Sequence, residues 1–100
     1  MPTIRVSVPH KLTQDEALKR IKKTIAEAKR KNSDKVSELK ETWDGYEGEF
    51  SGSAMGYDVG GGIAIEPAQV VVTGKLPFIA IPFKGKIESG IEGMLRRLLE

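Results

Sequence analysis

Cysteine is absent from this 100-residue chain, and histidine occurs once, at His10. Without thiols the chain cannot form disulfides, thiolate zinc sites, iron–sulfur clusters or thiol nucleophiles. Long apolar runs are lacking too: the longest mostly apolar stretch, Leu76–Phe83, is interrupted by Pro77 and Pro82. A membrane-spanning helix needs about 20 apolar residues, so the sequence predicts no membrane span.

What the chain does contain is typical of a folded domain. Apolar residues make up 39% and charged residues 30% of its 100 positions, and these values predict a single globular domain over residues 1–100. The first residues lack the apolar run of a secretory signal. Together with the absence of cysteine, this predicts a cytoplasmic protein that needs no oxidising compartment.

Charge is strongly segregated along the chain. Residues 1–40 carry eleven basic and five acidic side chains, residues 41–74 carry six acidic and no basic ones, and residues 75–100 carry five basic and three acidic ones. One interpretation is a basic helix lying near an acidic sheet. A second is a basic face that receives an anionic partner.

The first third predicts a strand followed by a helix. Apolar and polar residues alternate from Thr3 to Val8, as in a half-buried strand, and Pro9 closes it. Thr13-Gln14-Asp15-Glu16 matches a capping box, in which the Thr13 hydroxyl and the Glu16 carboxylate accept from free amides. The predicted helix ends at Asn32-Ser33-Asp34. Its apolar stripe consists of Leu18, Ile21, Ile25 and Ala28.

The middle of the chain predicts an antiparallel meander. Asp44-Gly45 favours a tight turn because both residues tolerate positive φ, and Gly56 marks a second reversal. The chain turns again at Glu66-Pro67-Ala68-Gln69. Four strands are predicted, over Val36–Trp43, Tyr46–Ala54, Tyr57–Ile65 and Val70–Leu76.

A second amphipathic helix is predicted near the end of the chain. Its apolar positions are Ile87, Ile91, Met94, Leu95 and Leu98. Gly90 and Gly93 weaken a helix, and close packing against the sheet is one reason for them. The fold class is α+β: a two-layer sandwich in which a curved antiparallel sheet, in the order β-α-β-β-β-β-α, carries both helices on one face.

No catalytic residue, metal site or cofactor is predicted. His10 follows Pro9 in an expected surface turn and is interpreted as structural or solvent-exposed. The acidic residues at positions 41–49 are spread over two strands and a turn, which is ordinary for a solvated face. Gly60-Gly61-Gly62 precedes a strand rather than a helix, so it does not match a phosphate loop. Sheet curvature or a bulge is the better explanation.

The most distinctive stretch is Leu76–Phe83, called here the apolar segment. Its default interpretation is that it seals the sheet beneath the last helix. The alternative is an apolar contact surface, a pocket mouth or a dimer contact. The candidate contact residues are Leu76, Phe78, Ile79, Ile81 and Phe83. Trp43, Tyr46 and Tyr57 are assigned to core packing by default.

Two other kinds of partner are compatible with the sequence, nucleic acid and a second copy of the chain. A basic surface formed by Lys22, Lys23, Lys29 and Arg30 could contact nucleic-acid phosphates. Nucleic acid is nevertheless disfavoured, because the outward face of the predicted sheet is acidic and offers no aromatic platform for bases. A homodimer is the second class, since an open sheet leaves edges to cover.

Several short motifs together resemble one family. They are Thr3–Leu12, Asp15-Glu16-Ala17, Trp43-Asp44-Gly45, Ala54-Met55-Gly56, Gly74–Phe78 and Gly85–Glu88. In this combination the chain resembles the polyhydroxyalkanoic acid system family. The resemblance implies a cytoplasmic bacterial protein of carbon-storage polyester metabolism, with a polyester granule or a granule protein as partner. It brings no catalytic residues.

The leading functional hypothesis is a non-enzymatic accessory protein that binds a granule surface, a granule protein or a hydrophobic acyl ligand. One alternative is a module that holds a small apolar ligand between sheet and helix. The other is a nucleic-acid binder acting through the basic first helix.

Overall fold

The computed structural model describes residues 3–31, 36–54 and 56–100. The elements are β1 (Thr3–Pro9), α1 (Gln14–Lys31), β2 (Val36–Asp44), β3 (Glu47–Ala54), β4 (Tyr57–Ile65), β5 (Gln69–Lys75), a 3₁₀ helix (Phe78–Phe83) and α2 (Lys84–Leu98). This order confirms the predicted α+β class. The predicted helix end at Asn32-Ser33-Asp34 lies outside the described residues.

The five strands form one antiparallel sheet in the order β1-β5-β4-β3-β2. The first strand therefore pairs with the last. One predicted turn is displaced by a residue: Asp44 pairs with Glu47 and still belongs to β2, so the turn consists of Gly45 and Tyr46. Gly45, one of the two residues expected to tolerate a positive φ, has a φ of 61°. Gly56 has a φ of 83°, in agreement with the predicted reversal.

Both helices cover the same face of the sheet. The core combines Ala17 and Ile21 of α1 with Leu95 of α2 and with alternate residues of the strands. The buried strand residues in this cluster are Val6, Val8, Ile63, Ile65 and Val70. On the opposite face, exposed polar residues such as Arg5, Glu49 and Thr73 meet solvent, as the alternating pattern predicts.

Hydrogen bonds fix where α1 begins. The Thr13 hydroxyl accepts from the backbone N–H of Glu16 at 3.1 Å, which is the first half of the predicted capping box. The Glu16 carboxylate instead accepts from Arg20 Nε at 3.1 Å. Gln14 Nε2 donates to the carbonyl oxygen of Ile65 at 3.0 Å. The start of α1 is thereby held above the end of β4.

The two helices meet at one end and separate toward the other. Arg20 Nη1 donates to the carbonyl oxygens of Leu98 and Glu100 at 3.2 and 2.7 Å. Farther along α1, Lys29 pairs with Glu41 on the edge strand β2. The beginning of α2 lies instead at β1, the opposite edge, where the Glu88 carboxylate accepts from the Arg5 backbone N–H at 3.5 Å. A wedge-shaped space is therefore left between the helices.

Two predictions about glycine need correction. The pairing of β4 with β3 and β5 runs through Gly60–Gly62 without a shift, so there is no bulge there; the irregularity lies in β2, between Ser37 and Lys40. Gly61 is needed for close approach, because an added Cβ would lie 2.3 Å from the Thr73 carbonyl oxygen. The α2 glycines do not pack on the sheet: a Cβ at Gly90 would meet open space.

The expected surface position of His10 is wrong, although its structural role agrees with the prediction. His10 is only 8% exposed. Its Nδ1 accepts from the Leu12 N–H at 3.1 Å, so Nε2, 2.9 Å from the Glu66 carbonyl oxygen, is the donor of a neutral ring. Nε2 therefore ties the end of β1 to the β4–β5 turn, while Nδ1 holds the connection between β1 and α1.

Candidate functional site

The apolar segment is displayed on the surface. Phe78, Ile79, Ile81 and Phe83 are 71%, 61%, 45% and 57% exposed, while Leu76 is half-buried. The default prediction that this segment seals the sheet is therefore wrong. The segment leaves the sheet for a local reason: Pro77 precedes the 3₁₀ helix and Pro82 lies within it, so the chain cannot continue as a paired strand. The alternative, an apolar contact surface, stays a prediction.

Cations flank this surface. Lys75 precedes the apolar segment, and Lys84 and Lys86 follow it in the first turn of α2; all three are exposed. No acidic residue lies in that first turn. The exposed apolar turn is thus bordered in sequence by positive charge on both sides.

A second feature, the interhelical groove, lies in the wedge between α1, α2 and the sheet. Its volume is about 640 Å³. Its lining is mostly aliphatic and comes from both helices and four strands, including Ile21, Thr24 and Ile25 of α1, Ile91, Met94 and Leu98 of α2, and Leu39, Phe50, Val59, Ile63 and Val72 of the sheet. Met94 and Leu39 remain 43% and 37% exposed, so the apolar lining reaches solvent.

A charged cluster stands at the α1 side of the groove. Glu41 lies on the helix-covered face, where its carboxylate accepts from Lys29 Nζ and Trp43 Nε1, each at 2.5 Å. Lys22 Nζ lies 5.1 Å from the centre of the Trp43 ring. Burial by itself raises the pKa of Glu41, but the hydrogen bonds from Lys29 and Trp43 and the charges of Lys29 and Lys22 lower it below its ordinary value. Two cations therefore surround one carboxylate.

Replacing Glu41 by glutamine should cost stability at neutral pH and very little in acid. Because the pKa of Glu41 is lower in the folded protein, its stabilising effect is complete above the unfolded pKa and disappears as pH falls through the folded one. At pH 7 we expect Glu41→Gln to lower the free energy of unfolding by about 1–2 kcal/mol. Urea denaturation from pH 7 to pH 3 measures the difference.

Glu92→Gln is the matched control for this prediction. Its partner Arg96 is one helical turn away, and the two side chains are 42% and 60% exposed, so the pair should contribute less than about 0.5 kcal/mol. A Glu41→Gln effect that stays constant down to pH 3 would contradict the ionic origin of the stabilisation.

Two of the four predicted basic residues have partners in the sheet. Lys22 and Lys29 turn toward β2 and are engaged with Trp43 and Glu41. Lys23 and Arg30 are exposed, one position farther along the helix in each case. A basic surface made of all four residues stays a prediction.

The aromatic residues have mixed outcomes. Trp43 and Phe50 pack edge to face with ring centres 6.0 Å apart, and both are packed against the core. Tyr46 is also packed there, and its hydroxyl donates to Asp15 at 2.5 Å, which raises the pKa of Tyr46. The prediction of core packing is wrong for Tyr57, which is 43% exposed.

The sequence analysis included an apolar pocket between sheet and helix as an alternative, but it did not identify the lining residues of the groove or the role of Glu41. A signal was present: alternation in β2 places Leu39, Glu41 and Trp43 on one side, with an acid between two apolar residues. Among residues 3–31, 36–54 and 56–100, no group of three or more histidine, aspartate or glutamate side chains is placed to hold a metal ion. Within the same ranges no helix combines the length and apolar character needed to cross a membrane.

Comparison with known families gives a match that spans nearly the whole chain. The model of the family described as polyhydroxyalkanoic acid system protein matches residues 4–99. Comparisons with curated proteins and with solved structures return no match.

Proposed function

We propose a function from the premise that this chain belongs to the polyhydroxyalkanoic acid system family: it is a non-enzymatic accessory protein that attaches to the polyester surface of a granule through its apolar segment. The observation that carries the proposal is the exposure of Phe78, Ile79, Ile81 and Phe83 on one short 3₁₀ helix. A cytoplasmic location is part of the proposal.

The concentration of apolar side chains supports attachment at this place. Of the seven exposed large apolar side chains among the described residues, four lie between positions 78 and 83. Single exposed apolar side chains are normal on a protein surface, whereas a contiguous group favours contact with another apolar surface. A polyester surface supplies apolar area without requiring a shaped pocket.

The flanking lysines suit such a contact. Lys75, Lys84 and Lys86 are exposed beside the apolar segment. A lysine can lay its aliphatic stem along an apolar surface while its ammonium group remains in water. The lysines would therefore border the contact without burying charge.

Co-sedimentation with polyhydroxyalkanoate granules stripped of protein tests the proposal. Phe78→Ser/Ile79→Ser removes the two most exposed side chains of the apolar segment. Burying a large apolar side chain contributes about 1.5–3 kcal/mol. We therefore expect half-maximal binding of the variant to require at least about tenfold more polyester surface than half-maximal binding of the parent. The variant should keep its unfolding midpoint, because neither side chain is buried.

Tyr57→Ser/Met94→Ser is the matched control, since both side chains are 43% exposed and lie outside the apolar segment. This control should sediment like the parent protein. Equal retention of the parent and Phe78→Ser/Ile79→Ser would remove the segment from the mechanism. Binding to native granules but not to stripped ones would replace the polyester surface with a granule protein as partner.

A further inference from the structure

We propose that the interhelical groove is a binding site for one unbranched aliphatic chain that ends in a carboxylate. The site is separate from the apolar segment, and no residue of positions 76–83 lines it. The inference goes beyond the proposed attachment to polyester and does not depend on it.

The shape of the groove favours a single chain over a flat surface. Its walls are α1 and α2, and its floor is the sheet, so a polymer surface lying across both helices would not reach the floor. Gly61, which has no side chain, lines the floor beside Phe50, its partner on β3. A flexible chain can follow this space and contact both walls.

The size of the groove suits a small molecule better than a helical peptide. An α-helix is about 10 Å across with side chains and rises 1.5 Å per residue, so the volume of about 640 Å³ would be filled by roughly five residues of helix. The same volume lies within the range of about 300–1,000 Å³ that is typical of small-molecule sites. At about 30 Å³ for each water-sized group, it has room for roughly 20 such groups, more than a dodecanoate chain contains.

Charge at the α1 side favours an anionic end. Lys29 lines the groove and is paired with Glu41, while Lys22 adds a second positive charge that acts on the same carboxylate. Two cations and one anion leave one positive charge uncompensated within this cluster. A carboxylate on the ligand would balance it, whereas the aliphatic chain would extend over Ile25, Ile63 and Ile91.

A series of free carboxylates tests the apolar part. Octanoate, decanoate and dodecanoate are titrated below micelle formation into the full chain, and binding is measured by calorimetry. Each methylene that enters the groove should raise the affinity about threefold to fourfold. Affinity that does not increase along the series would overturn the proposal.

A groove-filling variant tests the location. Thr24 lines the groove from α1, so Thr24→Phe places a ring where the chain would lie and should weaken dodecanoate binding at least tenfold. Ala26→Phe adds the same ring at an exposed position of the same helix and should bind like the parent. Should Thr24→Phe not fold, Thr24→Met serves the same purpose. Equal binding by the groove variant and the Ala26 variant would overturn the assignment.

The carboxylate end is tested by comparing decanoate with decanol. Decanoate should bind about fivefold more tightly, as expected for a partly exposed ion pair, and added salt should reduce the preference. Lys22→Gln should abolish the preference while leaving the Lys29–Glu41 pair intact. Lys23→Gln, on the exposed side of α1, should retain it. Equal affinities of decanoate and decanol in the parent would overturn the assignment of an anionic end.

These variants separate the two proposals. Thr24→Phe should still sediment with stripped granules, and Phe78→Ser/Ile79→Ser should still bind dodecanoate. Failure of either experiment therefore leaves the other proposal standing.

Discussion

Gly61→Ala should destabilise the protein by about 3 kcal/mol, the upper part of the range for overpacking in a close-packed interior. The added methyl carbon would lie 2.3 Å from the Thr73 carbonyl oxygen and 3.1 Å from the Gly74 Cα. Both atoms belong to the backbone of β5, so no side-chain rotation can relieve the contact. The strands β4 and β5 would have to separate in the centre of the sheet, where they are paired on both sides.

Urea denaturation at neutral pH measures this effect, and Gly90→Ala is its control. A Cβ at Gly90 meets nothing within 4 Å, and alanine is favoured over glycine in a helix by about 1 kcal/mol. Gly90→Ala should therefore stabilise the protein by about 0.5–1 kcal/mol. The two glycine-to-alanine substitutions should therefore change the free energy of unfolding in opposite directions. A Gly61→Ala protein as stable as the parent would show that β4 and β5 tolerate a wider separation at this point.

Leu95→Ala should lower the free energy of unfolding by about 3 kcal/mol, within the usual range for a buried leucine. Leu95 is 2% exposed and is the buried residue of α2. Its side chain joins α2 to the cluster that contains Ile21 and Val70. Removing it leaves a cavity beneath the helix as well as losing apolar burial.

Thermal and urea unfolding of Leu95→Ala should be compared with Met94→Ala. Met94 is the preceding residue of the same helix but is 43% exposed, so its truncation should cost less than about 1 kcal/mol. A small effect of Leu95→Ala would mean that α2 is not held to the sheet by this contact. Comparing these two variants also distinguishes the contribution of the core to stability from that of the groove, because Met94 lines the groove.

Periodicity was sufficient to predict the helices and strands. The alternation in Thr3–Val8 and the helical spacing of Ile21 and Ile25 each report which side of an element is apolar, and the sheet and core use those sides. Capping and turn residues located the helix start at Thr13 and the reversal at Gly56. These signals are local, so a single sequence contains them.

The exposure of the apolar segment could not be predicted in the same way. Whether Phe78 is covered depends on the path of α2, and α2 crosses β1 rather than returning over the 3₁₀ helix that precedes it. The burial of His10 depends on the β4–β5 turn, 56 residues away at Glu66. The groove likewise depends on the divergence of two helices that are far apart in sequence. Each outcome is a property of tertiary placement.

The pairing of β1 with β5 has a consequence for how the molecule is made. Thr3 pairs with Lys75, so the two partners are separated by more than half of the chain. During synthesis the first strand leaves the ribosome long before its partner exists, and α2 has no place to dock until both are joined. Contacts of such high sequence separation slow folding because a long loop must close first. The first strand therefore lacks its partner strand until the final third of the chain has been synthesised.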